Sequence, residues 1–188
     1  MEEKEIFKAP YGTLVVNGAM GVDKIKETPT GTLELLRFIS ILTPINQYMR
    51  LLSGDAKLLP YLGHALLILL GEGEDMLVDS EDLESCFNLW YQPDSWKGFT
   101  AFEKKVSGWV ANQEDPFHIG IRTIPMGYRG AVDLVQNVVR NLVFCEAKIP
   151  RSVEVAKGEK FPEGPDYAFV VLDSLDLVRV MDRRIAMV

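Results

Sequence analysis

The sequence is poor in the residue types that build metal clusters and disulfide frameworks. Its 188 residues include two cysteines and two histidines. Cys86 and Cys145 do not have the spacing of zinc ligands, so neither a disulfide scaffold nor a Cys/His metal centre is expected. A reducing, intracellular environment, either cytoplasmic or nuclear, is the expected location.

Long apolar runs are also missing. The longest covers residues 65–70, which is far too short to cross a bilayer. Residues 1–5 are too acidic and polar for a secretory signal peptide. The sequence therefore predicts no transmembrane segment, no signal peptide and no membrane partner.

Lys and Arg are absent between Lys57 and Lys97, and acidic side chains crowd into this gap: Glu72, Glu74, Asp75, Asp79, Glu81, Asp82 and Glu84. The net charge of −7 is unfavourable for binding phosphates. Lys and Arg gather on both sides of the gap, so an acidic stretch could hold cations while its flanks hold phosphate. A simply solvated charged surface remains the alternative for most of these residues.

What the sequence does contain is typical of one globular domain, or a domain and a half, of mixed α and β structure. Its patterns predict strands at 13–17, 33–42, 75–81, 98–102 and 118–123, and a hairpin formed by 167–172 and 175–181. They predict a turn at Asn17-Gly18. They also predict a buried helix within 61–70 and an amphipathic helix over 130–144. Its polar face comprises Asp133, Gln136, Asn137, Arg140 and Asn141.

Two of these elements each deliver a single aspartate. Asp82 follows the strand at 75–81, and Asp173 lies at the tip of the hairpin. Two strand-borne carboxylates that converge could bind the metal ions of a phosphoryl-transfer site, because Mg²⁺ prefers oxygen ligands and keeps several waters. Asp82 could instead cap a helix that begins at Leu83, and Asp173 could be an ordinary turn residue.

A tight turn precedes the amphipathic helix. Residues 124–130 read IPMGYRG, in which Pro125 and Gly127 favour a turn. Gly127 and Gly130 allow backbone to approach a flat or charged ligand closely.

In this order, the motifs resemble those of the fingers and palm of reverse transcriptases from retroelement polyproteins. Residues 37–46 (RFISILTPIN) are similar to the fingers signature, and residues 21–24 (GVDK) to the strand before it. Residues 82–87 (DLESCF) resemble the first catalytic motif, and 96–102 (WKGFTAF) the strand that follows. The 124–130 turn with Gln136 resembles the Leu-Pro-x-Gly segment. Residues 171–174 (VLDS) occupy the place of the Tyr-x-Asp-Asp box.

The resemblance covers residues 12–181 and implies a particular α+β fold. This is a polymerase palm, a split βαβ, ferredoxin-like antiparallel sheet with helices on one face, together with a partial fingers subdomain and no thumb. Residues 1–58 would form the N-terminal segment and partial fingers. Residues 59–188 would form the palm-like region with residual fingers elements.

The resemblance also implies roles for single residues. Asp82 and Asp173 would be catalytic and, with the Leu83 carbonyl, would bind two Mg²⁺ or Mn²⁺ ions. The remaining nucleotide-binding residues would be Arg37, Lys24, Phe87, Met126, Gly127 and, near the template, Gln136. The partners implied are an RNA or DNA template-primer and a deoxynucleoside triphosphate. Core packing for Phe87 and Met126, and surface charge for Arg37 and Lys24, remain the alternatives.

Several positions depart from the family pattern. Ser174 replaces the second aspartate of the Tyr-x-Asp-Asp box, and Val171 replaces its tyrosine. The thumb and RNase H parts of such a polyprotein are expected to be missing. Three interpretations follow: a truncated, partly degenerate fragment of an RNA-directed DNA polymerase, inactive or incomplete alone; a domesticated, catalytically dead palm that acts as a protein-interaction module; or a small α/β domain with chance matches.

Overall fold

The computed structural model describes residues 6–8, 15–107 and 116–186. Within them the strands are β1 (Ile6–Lys8), β2 (Val16–Thr28), β3 (Gly31–Ile41), β4 (Glu74–Asp82), β5 (Ala101–Val106), β6 (Phe117–Ile121), β7 (Asp166–Val171) and β8 (Ser174–Asp182). The helices are α1 (Thr43–Asn46), α2 (Leu62–Ala65), α3 (Ala131–Asn141) and α4 (Arg183–Ala186). The chain is mixed α+β, with two sheets and little helix, as the sequence predicts at this level.

The chain divides into two compact units that interleave along the sequence. Unit 1 comprises Met1–Leu51 and Phe87–Ala131, and unit 2 comprises Leu52–Cys86 and Val132–Val188. The chain therefore passes from one unit to the other three times, whereas the sequence predicts a single boundary after residue 58. Among the helices of the described part, none has the length and apolar character needed to cross a membrane.

Unit 1 contains a five-stranded sheet with the order β1-β6-β5-β2-β3. The strand pairs are antiparallel except β2 and β5, which run parallel. From Gly18 to Thr28, β2 pairs with β3 residue by residue. We call this two-stranded part of the sheet the ribbon. The strand predicted at 33–42 is confirmed as β3, whereas the strand predicted at 98–102 begins only at Ala101, since Asp94–Phe99 form a 3₁₀ helix.

The turn predicted at Asn17-Gly18 is wrong, because β2 continues through both residues and the chain turns at Pro29-Thr30. Residues 13 and 14 of the predicted first strand lie outside the described part. The Asn17 side chain is 1% exposed and donates from Nδ2 to the carbonyls of Phe99 (2.8 Å) and Ala101 (3.2 Å). Its Oδ1 accepts from the Ile45 backbone N–H at 3.3 Å. The amide group thus joins three chain segments instead of closing a turn.

The core of unit 1 lies around the loop that follows β3. Leu42, Ile45, Tyr128 and Ala131 form a buried cluster. The Trp96 ring stacks on Tyr128, with ring centroids 5.5 Å apart. Pro44 lies in α1 shortly after β3 ends, where its fixed φ is compatible with the first helical turn.

Unit 2 contains a three-stranded antiparallel sheet with the order β4-β8-β7. The strand predicted to deliver Asp82 is confirmed as β4, and the hairpin predicted around Asp173 is confirmed as β7 and β8. One face of the sheet contributes Phe169 and Val178 to a core cluster with Val155.

The helix predicted over 130–144 is confirmed as α3, which continues into a π-helical turn at Leu142–Glu146. Its predicted polar face is wrong for Gln136 and Arg140, which are both buried. These side chains are buried because each satisfies its polar atoms with partners inside unit 2.

The buried helix predicted within residues 61–70 is also wrong. Helix α2 has four residues, and Leu66, Leu67, Leu69 and Leu70 are exposed. Of this run, Ala65 and Ile68 pack against the core cluster of unit 2. The apolar composition of the run therefore does not translate into burial.

Candidate functional site

The two predicted catalytic aspartates lie at the same end of neighbouring strands in unit 2. Asp82 is the last residue of β4 and is paired with Ser174, the first residue of β8. The Leu83 backbone N–H donates to the Asp173 carbonyl at 2.6 Å. The backbone segments that carry the two carboxylates are therefore joined directly.

The two simpler roles left open for these aspartates have different outcomes. Asp82 does not cap a helix, since residues 83–85 are not helical and the next 3₁₀ segment begins at Cys86. Asp173 does occupy a turn, between β7 and β8. Asp173 can occupy this turn and still bind a metal ion through its carboxylate, because its link to Leu83 uses only the backbone carbonyl.

Gln136 holds the turn that carries Asp173. The side chain is 1% exposed, and its Nε2 donates to the Val170 carbonyl at 2.7 Å. Its Oε1 accepts from the Leu172 backbone N–H, also at 2.7 Å. Leu172 adopts a left-handed conformation with φ of 46°, which costs a non-glycine residue about 1–2 kcal/mol. Gln136 thus fixes a backbone conformation that Leu172 would not favour by itself, while its predicted place near the template stays a prediction.

Ser174, at the position of the missing second aspartate, is engaged within the same turn. Its hydroxyl donates to the Val171 carbonyl at 3.2 Å. Asp176, two residues further along β8, accepts a hydrogen bond from the Ser80 hydroxyl on β4. Ser174 and Asp176 therefore each make a local hydrogen bond, which leaves lone pairs on their oxygens.

The predicted metal ligands at this end of the sheet are two carboxylates and one backbone carbonyl. Asp82 and Asp173 supply carboxylates, and the Leu83 carbonyl accepts from the Cys86 N–H at 3.1 Å but keeps a second lone pair. In the part of the chain that the structure describes, no group of three or more His, Cys, Asp or Glu side chains is arranged to hold a metal ion. A single Mg²⁺ that keeps most of its waters needs only one or two carboxylates.

The predicted triphosphate contacts Lys24 and Arg37 lie on one face of the ribbon in unit 1. Arg37 is paired with Val22, and Lys24 with Leu35, two positions further along the ribbon. Opposite residues of an antiparallel pair point to the same face, so both cations project from that face at diagonal positions.

The charges on the ribbon are separated by face. The face with Lys24 and Arg37, which we call the cationic face, comprises Gly18, Met20, Val22, Lys24, Lys26, Thr28, Gly31, Leu33, Leu35, Arg37, Ile39 and Ile41. The opposite face, which we call the acidic face, comprises Ala19, Gly21, Asp23, Ile25, Glu27, Thr32, Glu34, Leu36, Phe38 and Ser40. Because the ribbon has one charge sign on each face, an anion would be attracted to the cationic face alone.

The turn predicted at residues 124–130 is confirmed. The Tyr128 N–H donates to the Pro125 carbonyl at 3.1 Å, and Gly127 has φ of 91°, a value that favours glycine. Met126 is exposed and its carbonyl accepts from the Ser40 hydroxyl at 3.4 Å. Exposure of Met126 contradicts core packing for this residue.

Asn46 supports this turn and is a residue whose role the sequence did not reveal. Its Nδ2 donates to the Gly127 carbonyl, and its Oδ1 accepts from the Arg129 N–H, both at 2.8 Å. Phe87, the predicted sugar gate, packs against the core cluster of unit 1. The core-packing alternative therefore describes Phe87, and a contact with a sugar stays a prediction.

A partly buried ion-pair cluster in unit 2 was not predicted from the sequence. Arg140 donates from Nε and Nη2 to both oxygens of Glu154, at 2.6 and 2.9 Å. Its Nη1 donates to Asp55. These carboxylates raise the pKa of the Arg140 guanidinium, with the hydrogen bond to Glu154 as the largest cause. The available signal was the spacing of four residues from Gln136, which places both long polar side chains on one helix face.

Comparison with protein-family models and with curated proteins finds no match to this chain. The resemblance to reverse transcriptases therefore stays a prediction from the order and spacing of the motifs.

Proposed function

We propose that this chain is a reverse transcriptase-like domain, ancestrally an RNA-directed DNA polymerase that transferred nucleotides by two-metal chemistry. It would comprise a palm in unit 2 and a partial fingers subdomain, and it would be inactive or incomplete by itself. The alternative is a domesticated, catalytically dead palm that serves as a protein-interaction module.

The observation that carries the proposal is the meeting of Asp82 and Asp173 at one end of adjacent strands. A nucleotidyl-transfer site needs carboxylates from separate strands at one point, where a metal ion would lower the pKa of the attacking hydroxyl and neutralise developing charge. The pairing of Asp82 with Ser174 and the link from Leu83 to Asp173 supply the backbone part of that arrangement. Gln136 would act as a positioning residue for Asp173.

The ribbon supports the same proposal from unit 1. Lys24 and Arg37 are exposed and share a face that carries no carboxylate among its paired positions. Phosphate groups of a deoxynucleoside triphosphate or a template strand would bind such a face by charge and hydrogen bonding.

Ser174 favours the inactive form of the proposal. A serine hydroxyl is a weaker metal ligand than a carboxylate, and at position 174 it replaces the second aspartate of the family pattern. The donor set therefore accommodates one cation, whereas two-metal transfer requires a further carboxylate at or near position 174.

The decisive experiment is a Mn²⁺ titration of the whole chain, in which calorimetry or electron paramagnetic resonance measures the bound ion. Wild type should bind one Mn²⁺, and Asp82→Asn should lose most of this binding. Asp79→Asn is the matched control, because Asp79 is also exposed on β4 but projects from the other face of the strand. Mn²⁺ binding that is retained by Asp79→Asn and lost by Asp82→Asn would assign the ion to Asp82.

Equal, weak binding by wild type and Asp82→Asn would overturn the metal site. The chain would then be the catalytically dead palm of the alternative. Ser174→Asp sharpens the test, since an added carboxylate should tighten Mn²⁺ binding by about tenfold if position 174 faces the ion. No gain with Ser174→Asp would place the ion elsewhere.

A further inference from the structure

We propose that β3 is a dimerisation edge, along which two copies of this chain join their sheets by antiparallel pairing of β3 with β3. Strand β3 is the terminal strand of its sheet and has eleven residues. Within the described part of the chain, its side away from β2 has no strand partner, so it offers a row of backbone donors and acceptors.

The other sheet edges are protected in ways that β3 is not. Strand β1 has three residues, too few for extensive pairing. Strand β4 carries five carboxylates and no base, so a second β4 would be repelled: Glu74, Asp75, Asp79, Glu81 and Asp82. The outer side of β7 is occupied in part, because Val155 donates to the Ala168 carbonyl at 2.9 Å. Natural sheets use short edges, charge and covering loops of this kind to prevent edge-to-edge association.

Strand β3 lacks these protections. It contains no proline and no lysine, and its one acid, Glu34, is balanced by one base, Arg37. Its register with β2 advances one residue at a time from Gly31 to Ile41, so no bulge disrupts it. Its apolar side chains are exposed, including Leu36 at 72%. A long, regular and nearly neutral apolar edge pairs readily with another strand.

The sequence of β3 favours a second copy of itself as that strand. An antiparallel pair that uses all eleven residues must place Leu36 opposite Leu36, because Leu36 is the central residue of the strand. Leu33 then faces Ile39 twice, and Leu35 faces Arg37 twice. No like charges are directly opposed, and the central pair is apolar.

The arrangement has two-fold symmetry, so pairing along β3 ends with two copies. Opposite residues lie on the same face in an antiparallel pair, so the cationic faces of the two ribbons would form one continuous surface. The two-fold axis passes beside Leu36, and each copy uses the same residues as its partner, which is the usual arrangement of a homodimer. The combined sheet would have ten strands.

The test is sedimentation velocity of the full chain over a concentration series. Wild type should show a reversible monomer–dimer equilibrium. The double variant Leu33→Lys/Ile39→Lys should raise the dimer dissociation constant by about tenfold or more, because each copy places two lysines opposite each other across the new pair. Ile25→Lys is the matched control, since Ile25 is 67% exposed on the same ribbon but lies on the inner strand β2. Its dimer should persist.

Cross-linking gives a second measurement that does not depend on weakening the dimer. In a Cys145→Ser background, Leu36→Cys should form an intermolecular disulfide on mild oxidation, since the two cysteines face each other at the axis. Leu33→Cys should cross-link poorly, because it faces Ile39 of the other copy. Efficient cross-linking of Leu36→Cys alone would confirm the register.

Three results would overturn the proposal. If wild type is monomeric at every concentration, β3 does not pair with a second copy. An extended segment of another protein would then be the remaining partner for this edge. A dimer that is unaffected by Leu33→Lys/Ile39→Lys would use another surface. A dimer in which Leu36→Cys fails to cross-link would not be joined by the β3 pair. Circular dichroism of each variant establishes that it is folded.

Discussion

Each unit contains a buried amide side chain that hydrogen-bonds to the backbone of other chain segments, Asn17 in unit 1 and Gln136 in unit 2. We call these two side chains clamps, and they hold different parts of a strand pair in place. In unit 1, Asn17 ties the start of the ribbon to Phe99, Ala101 and Ile45. Beyond this point the ribbon is exposed. In unit 2, Gln136 grips the far end of a hairpin, at the turn that carries Asp173. Asn17 anchors the ribbon at the end where β2 joins the five-stranded sheet, which we call the root of the ribbon. Gln136 instead shapes the turn at the tip of the β7–β8 hairpin.

The difference indicates where each unit can meet a ligand or partner. A turn held from inside keeps its side chains in a defined place, as a binding site for a small ion requires. A ribbon held only at its root keeps its edge and both faces accessible, as pairing with another strand requires. A buried amide therefore fixes the turn in unit 2 where a bound ion would need fixed side chains. The exposed apolar strand in unit 1 remains where we expect a second strand to pair.

The largest expected effect concerns the ion pairs of Arg140, which lies four residues after Gln136 on α3. Arg140→Met should lower the free energy of unfolding by about 3–5 kcal/mol, because Glu154 and Asp55, whose side chains are only 10% and 20% exposed, would both lose their cation. Urea denaturation followed by far-ultraviolet circular dichroism measures it. Arg179→Met is the matched control, since its pair with Asp166 is exposed and should contribute little. Similar losses in both variants would contradict a special role for Arg140.

The second prediction compares the clamps directly. Gln136→Leu should cost about 2–4 kcal/mol, since the Val170 carbonyl and the Leu172 N–H each lose a partner. It should also accelerate hydrogen exchange at the Leu172 amide. Asn17→Leu should cost about as much, but its effect should appear in tryptophan fluorescence, because none of the three tryptophans falls in the sequence ranges of unit 2.

A buried glutamine in unit 1 provides the control for both variants. Gln92 donates to Ile121 and Thr100, but its Oε1 has no hydrogen-bond partner among the described residues. Gln92→Leu should therefore cost only about 1 kcal/mol, since the Thr100 hydroxyl still reaches the Ile121 carbonyl at 3.3 Å. A loss as large as that of Gln136→Leu would mean that burial of an amide, and not its pairing, determines the effect.

The clamps also explain which parts of the structure could be predicted from the sequence. Strand β3, the β7–β8 hairpin and helix α3 follow from local periodicity, which requires no knowledge of distant residues. Asn17 resembled a turn residue and Gln136 a surface residue, because their types and neighbours favour those roles locally. The carbonyls that bind Asn17 lie 82 and 84 residues away. Partners at such separations leave no local pattern in the sequence.

The candidate site shows the same division. The order of strand, turn and hairpin predicted that Asp82 and Asp173 would approach each other, and their backbone segments do meet. The engagement of Ser174 with Val171 depends on the turn conformation, which includes a left-handed Leu172. A left-handed leucine has no sequence signature, since leucine rarely adopts it. The residue types at this end of the sheet were therefore predictable from the sequence, but the hydrogen bond of Ser174 was not.

The third prediction tests whether the unit 1 turn depends on backbone conformation instead of a clamp. Gly127→Ala should cost about 1–2 kcal/mol, because φ of 91° is unfavourable for a residue with a Cβ. The space around a Cβ at this position is open, so no steric contact adds to the cost. Tryptophan fluorescence during urea denaturation measures it. An unchanged stability would mean that Asn46 can hold the turn in another conformation.

The smallest expected effect is a pH dependence in the core of unit 1. Burial raises the pKa of the Tyr128 hydroxyl above its ordinary value of 10.0. In the unfolded chain the same hydroxyl ionises near 10.0, so its contribution to stability is fully present below that pH and is lost as the pH rises through the folded-state pKa. Tyr128→Phe removes this proton equilibrium, and the stability of wild type relative to the variant should therefore fall above pH 10.0.

The measurement is the difference between the two free energies of unfolding, taken from urea denaturation at a series of pH values. Using the difference removes the titration of all other groups that the two proteins share. Tyr48→Phe controls for the loss of a hydroxyl at an exposed position of the same unit. A difference between wild type and Tyr128→Phe that stays constant through pH 10.0 would mean that the hydroxyl reaches water in the folded state. The cluster around Leu42 and Ile45 would then be open on the side of Tyr128, and the root of the ribbon would be less firmly packed than the Asn17 clamp implies.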